Sequence, residues 1–489
     1  MPARRELHTG RYNFLHRSWG PMEPFDDSVP EILRTNGVYT HLISDHQHYW
    51  EDGGATYHTR YSSWEITRGQ EGDPWKSTPE LIRLKNQHEG ECEKSDRFNE
   101  KQYAQDKVNR QFMKREGQLP QKVTFERGIE FIKRNHSADS WFLQIETFDP
   151  HEPFVSEPQY KTMYHLDADD TDDWPPYYFT DGNEEKVKHY KNCYAALLSM
   201  CDESLGKILD LMDKYSLWDD TMLIVNTDHG FLLGEHSWWG KNIMPVYDEI
   251  ARLPLFIYDP EVKQENVRRR ALVQTIDIPA TLLDYFHVPQ PRDMQGKSLR
   301  PLIRKEQPVR DYALFGFHGA HVNITDGDWI YMKAPMPPKN YDICENLYEY
   351  TLMPTHMRKM FAPEEIKDAV LEPPLSFTKG CPVLKMKAQP RTTDASNYGT
   401  VLYHITEDPD QKHTVDLPKQ EKRMANALIA MLEESDCPDE IYERLGLKKG
   451  KEVTDEDISR MHQRETVLKY PNILSTYAWD EEAVNMYRC

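Results

Sequence analysis

Short apolar runs alternate with longer segments of helical periodicity over the first 300 residues of the 489-residue chain. Val38 to Ser44, Trp141 to Phe148, Met222 to Val225 and Pro254 to Tyr258 read as strands, and Ala271 to Ile276 is a further apolar stretch. Between them, Ser28 to Asn36 predicts a helix with Pro30 in its first turn and Gly37 just past its end. Lys122 to Asn135 repeats apolar residues at Val123, Ile129, Phe131 and Ile132, and Tyr190 to Tyr215 at Leu198, Cys201, Leu205, Ile208 and Met212. Val246 to Arg252 and Ile278 to Phe286 complete the helical set. Strands alternating with helices predict an α/β fold with a mainly parallel sheet flanked by helices. Tyr57 to Leu119 is polar, aromatic and weakly periodic, and reads as an elaborated loop leading into helices.

After residues 300–310 the pattern changes. Tyr312 to Phe317, His321 to Thr325 and Trp329 to Lys333 alternate with a period of two around a turn at Asp326-Gly327-Asp328, which predicts antiparallel strands. Pro335 to Arg391 is rich in Pro and Met with little period; Val401 to Ile405 is a last strand, and Gln420 to Glu434 and Asp455 to Leu468 are amphipathic helices. The division is therefore a catalytic-type α/β domain over 1–305 and a smaller C-terminal α+β domain containing an antiparallel sheet over 306–489.

Composition narrows the function. A net charge of -21 opposes sequence-independent nucleic-acid binding, which needs clustered Lys and Arg. No run approaches the ~20 apolar residues of a membrane span, and the N-terminus lacks the apolar stretch of a signal peptide, so no membrane partner and a cytoplasmic location are expected. The seven Cys are scattered without a Cys-x-x-Cys pair, which argues against a disulfide framework or a thiolate zinc site. Cys193 and Cys201 fall on a helical pattern and read as core.

Ligand-type side chains gather where strands end, the edge at which open α/β sheets place their sites. The run after Val225 carries Asp228, His229, Gly230, Glu235, His236 and Lys241. Val38 to Ser44 empties into Asp45, His46 and His48, and Trp141 to Phe148 into Asp149-Pro150-His151-Glu152-Pro153, where two prolines fix the loop holding His151. The acidic run Asp167 to Asp173 does not match a calcium loop and reads as solvated. The arginine-rich start, Pro2-Ala3-Arg4-Arg5-Glu6-Leu7-His8-Thr9-Gly10-Arg11, allows a helical turn, with a solvated basic terminus as the plainer alternative.

Four blocks in order, residues 2–11, 149–154, 227–241 and 274–299, resemble the type I sulfatases of the alkaline phosphatase superfamily. That resemblance implies hydrolysis of a sulfate ester, small-molecule or carbohydrate, by a formylglycine nucleophile and a divalent metal. Calcium is the implied ion, with Mn2+ or Mg2+ as alternatives, since His229 stands where several members carry Asn and imidazole suits a softer metal. Asp228 and His229 match the metal ligands, Lys241 the sulfate-binding lysine, His151 the loop histidine and Arg4 the residue that holds the nucleophile. In the Cys-or-Ser-x-Pro-x-Arg motif, Met1 is the x, so the nucleophile and a first strand with paired metal-binding acids are expected ahead of Met1. Many members carry Gly-Lys-Trp-His where this chain has Ser44-Asp45-His46-Gln47-His48. The missing lysine leaves leaving-group catalysis to His48 or His46, while Asp45 and His236 become candidate substrate contacts. Two alternatives stand beside this reading: a phosphonate monoester or phosphodiester hydrolase on the same fold, and an inactive binding homologue.

Overall fold

A computed structural model of the chain describes residues 1–79, 97–116, 119–177, 180, 182–241, 245–337, 346–356, 359–388 and 395–465. The sheet that positions the site is centred on β1 (Tyr39–Ser44), flanked by β2 (Ser63–Ile66) and β3 (Trp141–Glu146), both parallel to it. Leu42 and Ile43 are fully buried, as expected of a parallel strand covered on both faces. The register pairs Tyr39 with Trp141 and Ser44 with Glu146, so both strands end level and their exit loops run side by side. One cover is the helix Pro120–Asn135, whose Gly128 lies so close to β3 that a Cβ would stand 2.3 Å from Ile145 Cδ1. A second long helix, Glu184–Lys214, starts where the Asn183 side chain accepts the Lys186 N–H at 2.9 Å, an N-cap.

The chain then enters β4 (Leu223–Asn226), a hairpin of β5 (Leu232–Leu233) and β6 (Trp239–Gly240), and β7 (Leu255–Tyr258), which runs antiparallel to β4. Among the described residues β3 and β4 each pair on one side only. A cavity of about 3820 Å³ is lined by both strands and by their exit loops.

The remaining strands form antiparallel sheets. β8 (Ala313–Gly316), β9 (Val322–Thr325), β10 (Trp329–Lys333) and a strand at Val401–His404 order as Val401–His404, β10, β9, β8. The helix Pro418–Glu434 covers this sheet with Met424, Ala425, Leu428 and Leu432, all fully buried. Tyr12, Phe14 and Leu15 from the start of the chain belong to the same apolar cluster. A smaller sheet joins β11 (Tyr348–Thr351) to Val383–Lys387 and Val370–Glu372.

The α/β class, the main helices and the antiparallel C-terminal strands agree with the periodicity, and four expectations change. The apolar stretch Ala271 to Ile276 lies outside the strands, with the Gln274 side chain bonded to the Leu314 carbonyl (2.7 Å) and the Tyr12 hydroxyl (2.5 Å). Ser63–Ile66 is a strand inside what reads as loop, because four residues carry too little alternation to register. The Pro- and Met-rich segment contains β11 and its two partners, short strands whose periods are broken by intervening turns. The arginine-rich start is a buried helix, Pro2–Thr9, since Arg4 and Arg5 find Glu146 and Asp26. The acidic run is not wholly solvated, because Arg110 grips the buried Asp173. The last three residues of the helix read over Asp455 to Leu468 lie outside the described residues, as do Cys92, Cys344 and Cys489; Cys193 is buried in the core as expected.

Arg17 and Glu23 form a salt bridge with no exposed side-chain surface, and both bond Thr351 of β11. Removing one member leaves the other charged and unpaired in the interior. Glu23→Ala is therefore expected to cost about 3–5 kcal/mol, read as a lowered urea midpoint, whereas replacing Glu31 of the half-exposed Arg34 pair costs less than about 1 kcal/mol.

Candidate active site

Three strand exits and the first helix meet at the mouth of the cavity. Asp228 and His229 follow β4 directly, and both side chains keep about a third of their surface, 34% and 37%, open to the cavity. The turn that carries them is fixed by Gly230, whose N–H donates to the Ile250 carbonyl at 2.9 Å. A Cβ at Gly230 would fall 1.8 Å from the Glu249 carbonyl oxygen, so no side chain fits there. His229 Nδ1–H donates to the Gly230 carbonyl at 3.1 Å, which leaves the Nε2 lone pair free, 3.7 Å from Asp228 Oδ2. Burial would raise the Asp228 carboxyl, but His229, Arg4 and Lys241 outweigh it and hold Asp228 well below the usual carboxylate range. An ionised carboxylate beside an imidazole lone pair, the ring oriented by a backbone carbonyl, is a donor set suited to a divalent cation.

Lys241 is returned to this point by the β5–β6 hairpin, in which Leu232 pairs with Gly240. Its ammonium donates to His151 Nε2 and lies 3.4 Å from Glu152 Oε2. His151 Nδ1–H donates to the Glu152 carbonyl at 2.6 Å. Burial, then Lys241 and His229, push the His151 ring well below its ordinary pKa, so it is neutral and accepts through Nε2. The His151 and His229 rings stand 6.2 Å apart. Glu71, His151 and Glu152 bring ligand atoms within 4.8 Å of one another, a spacing that also admits a divalent ion.

From the first helix, Arg4 Nε donates to Glu146 Oε1 at 2.7 Å at the end of β3. Glu146 Oε2 accepts from the Tyr49 hydroxyl at 2.8 Å and from Gln144 at 3.0 Å, which fills its acceptor sites. Met1 is buried in the same wall of the cavity. His46 lines the cavity and its Nδ1 accepts the His48 N–H at 3.2 Å; burial, then the charges of Arg4 and His48, hold His46 neutral. His48 also faces the cavity, paired with Glu51 and set edge-on to Trp19 at 5.1 Å.

Two expected substrate contacts lie elsewhere. Asp45 is fully buried and is not among the residues lining the cavity. Its Oδ1 accepts the Phe148 N–H at 2.6 Å and its Oδ2 accepts Gln70 at 3.1 Å, an arrangement that ties the β1 exit to the β3 exit. His236 stacks flat on Tyr247 at 3.7 Å with Glu249 at 3.4 Å, also away from the cavity wall. Trp238, Trp239 and His321 are buried in packing, and His318 reaches the cavity. Glu146, Glu152 and Tyr177 carry no signal of a role beyond an acid ending an apolar strand, an acid between two prolines, and one aromatic among several.

A family model described as Sulfatase matches residues 1–288. The chain belongs to the sulfatase family. It is 26% identical over 293 residues to an arylsulfatase of Clostridium perfringens, a match covering 53% of the chain and 60% of that protein. It is 35% identical over 121 residues to an N-acetylglucosamine-6-O-sulfatase of Bacteroides thetaiotaomicron, covering 25% of the chain and 21% of that protein. A choline-sulfatase of Rhizobium meliloti is 26% identical over 230 residues, covering 42% and 44% of the two chains. The chain thus spans 60% or less of these three relatives. The likeness in fold to solved structures extends further. A protein solved in complex with its substrate D-glucosamine-2-N,6-O-disulfate superposes with a TM-score of 0.58 at 15% identity, over 90% of this chain and 88% of the other. No helix among the described residues is long and apolar enough to cross a membrane.

Gly230→Ala is expected to lower the unfolding midpoint by the equivalent of about 1–3 kcal/mol, because backbone rather than a side-chain tip blocks the added methyl. Burial raises the Asp45 carboxyl from 3.8 to about 7, against the bonds from Gln70 and Phe148. The native state therefore keeps a proton that the unfolded chain has lost above its own pKa, and the stabilisation from that proton fades as pH rises toward about 7. Thermal melts from roughly pH 5 to roughly pH 8 should show wild type losing ground steadily to Asp45→Asn.

Proposed function

We propose that this chain hydrolyses a sulfate ester. The observation that carries the reading is the meeting of Asp228, His229, Lys241, His151 and Arg4 at one cavity mouth, cations and an ionised carboxylate on three separate strand exits and a helix. Lys241 offers N–H donors to sulfate oxygens and shares one of them with His151 Nε2. The neutral ring accepts at Nε2, and can pass a proton from the Lys241 ammonium through Nε2 to the leaving oxygen as that oxygen gains charge, which leaves Lys241 neutral. His46 and His48, on the β1 exit, face the same space and are suited to the leaving-group side. Asp228 and His229 would hold a divalent metal, for which calcium is the family's ion and the His229 imidazole equally suits manganese; such an ion neutralises the charge of the sulfate oxygens. The family's formylglycine supplies a hydrated aldehyde as nucleophile, and Arg4, fixed by Glu146, is suited to orient that segment. Relatives named for N-acetylglucosamine 6-O-sulfate and for choline sulfate support a small or carbohydrate sulfate ester as substrate.

The reading predicts measurable turnover of 4-nitrophenyl sulfate in the presence of calcium or manganese. Lys241→Met should lower kcat/KM by about 100-fold or more, the loss expected for one preorganised charged donor. Faster turnover of a phenyl phosphonate monoester than of the sulfate would shift the assignment to a phosphonate hydrolase; His229 is the feature that motivates that comparison. Sulfate binding by wild type without turnover of either ester would support the binding homologue.

A further inference from the structure

Glu152 is an acid with 2% of its side chain exposed, set beside the cation that would bind the anionic substrate. Such a charge opposes anion binding, so its burial there calls for a physical account. Its two oxygens are divided: Oε1 accepts the Tyr177 hydroxyl, and Oε2 faces Lys241 Nζ at 3.4 Å and His151 Nδ1 at 3.2 Å. Tyr177 is itself fixed, because its ring lies on Gly240, the residue before Lys241. A Cβ at Gly240, where φ is +111°, would stand 2.8 Å from Tyr177 Cδ1. The ring also meets Phe231 edge-on at 5.6 Å, and the Lys241 ammonium stands 5.8 Å from the Phe231 centroid. The backbone before Lys241, the ring and the carboxylate thus form a closed bracket around one ammonium.

Resting on the sulfatase reading, we propose that Glu152, clamped by Tyr177, is the standing counter-ion of Lys241. It is a positioning residue that aims the ammonium at His151 Nε2 and weakens the site's hold on free sulfate so that the product leaves. Two negative charges compete for one ammonium once a dianion enters. The competition raises the free energy of bound sulfate more than that of an ester, which carries one negative charge fewer. His151 and Glu152, two of the three donors that with Glu71 could accept a divalent ion, are on this account a cradle for the lysine.

The test uses the full chain and the variants Glu152→Gln, Tyr177→Phe and Lys241→Met, each checked for a wild-type circular dichroism spectrum and melting transition. Inorganic sulfate is titrated by calorimetry, which needs no turnover, and 4-nitrophenyl sulfate kinetics are run in parallel. Glu152→Gln should bind sulfate about tenfold more tightly while kcat falls about tenfold and KM does not rise; Tyr177→Phe should move in the same directions by less. A merely structural Glu152 would weaken sulfate binding and kcat together. Sulfate binding in Glu152→Gln that is unchanged or weaker overturns the proposal while leaving the sulfatase reading standing. Loss of manganese binding in Glu152→Gln also overturns it, since the cradle would then hold a metal. Wild type that binds no sulfate, or binds it equally with Lys241→Met, overturns both the anion-binding role of Lys241 and this inference.

Discussion

The ion pair between Arg4 and Glu146 is the contact on which the site depends. Glu146 is the last residue of β3, level with Ser44 of β1, so it stands where the parallel strands release their loops. An ionised acid in that position needs several donors, and it receives them from Arg4, Tyr49 and Gln144. Each donor comes from a different piece of chain: the first helix, the turn after β1, and β3 itself. Satisfying one carboxylate therefore fixes three elements relative to one another, and the guanidinium it captures contributes to keeping Asp228 ionised across the cavity mouth.

The charges around that mouth are arranged as alternating neighbours. Asp228 lies among His229, Arg4 and Lys241, while Lys241 lies between His151 and Glu152. His46, buried, and His151, part-buried, are neutral, and they contribute lone pairs and polar hydrogens rather than charge. In a low-dielectric setting this alternation limits the repulsion that a simple cluster of cations would store before an anion arrives. The protein's net charge of -21 has little bearing on this local balance, since screening confines distant surface charges to about a Debye length.

Much of this architecture is legible in the residues because it repeats a local rule. Apolar runs ending in Asp, His and Gly mark strand exits, and Asp228, His151, Lys241, His46 and His48 all reach the cavity that such exits imply. Asp45 and His236 satisfy the same rule and still turn away. Asp45 is captured by the Phe148 N–H, a partner 103 residues distant, and His236 by the flat face of Tyr247. Neither partner is visible from spacing. Tyr177 is illegible for the same reason, since its role depends on a bare Gly240 sixty-three positions on, a contact that only the folded chain creates. The strand Ser63–Ile66 was hidden by brevity, and the burial of the helix Pro2–Thr9 by its charge, which Glu146 and Asp26 neutralise.

Residues 10–16 are bound to what comes last. Arg11 donates to the Asp293 carbonyl, Gly10 accepts from Gln295 and Gly296, the His16 ring bonds the Asp436 carbonyl, and Tyr12, Phe14 and Leu15 share a core with the helix Pro418–Glu434. Closing loops of that length is entropically slow and gains nothing until the far partner exists. During synthesis, then, Arg11 and His16 wait for partners 282 and 420 residues further on. The parallel sheet and the Arg4–Glu146 pair can form before those partners exist. A nascent chain stalled before the helix Pro418–Glu434 would carry every strand exit of the site and still leave Tyr12, Phe14 and Leu15 without the core they share with it.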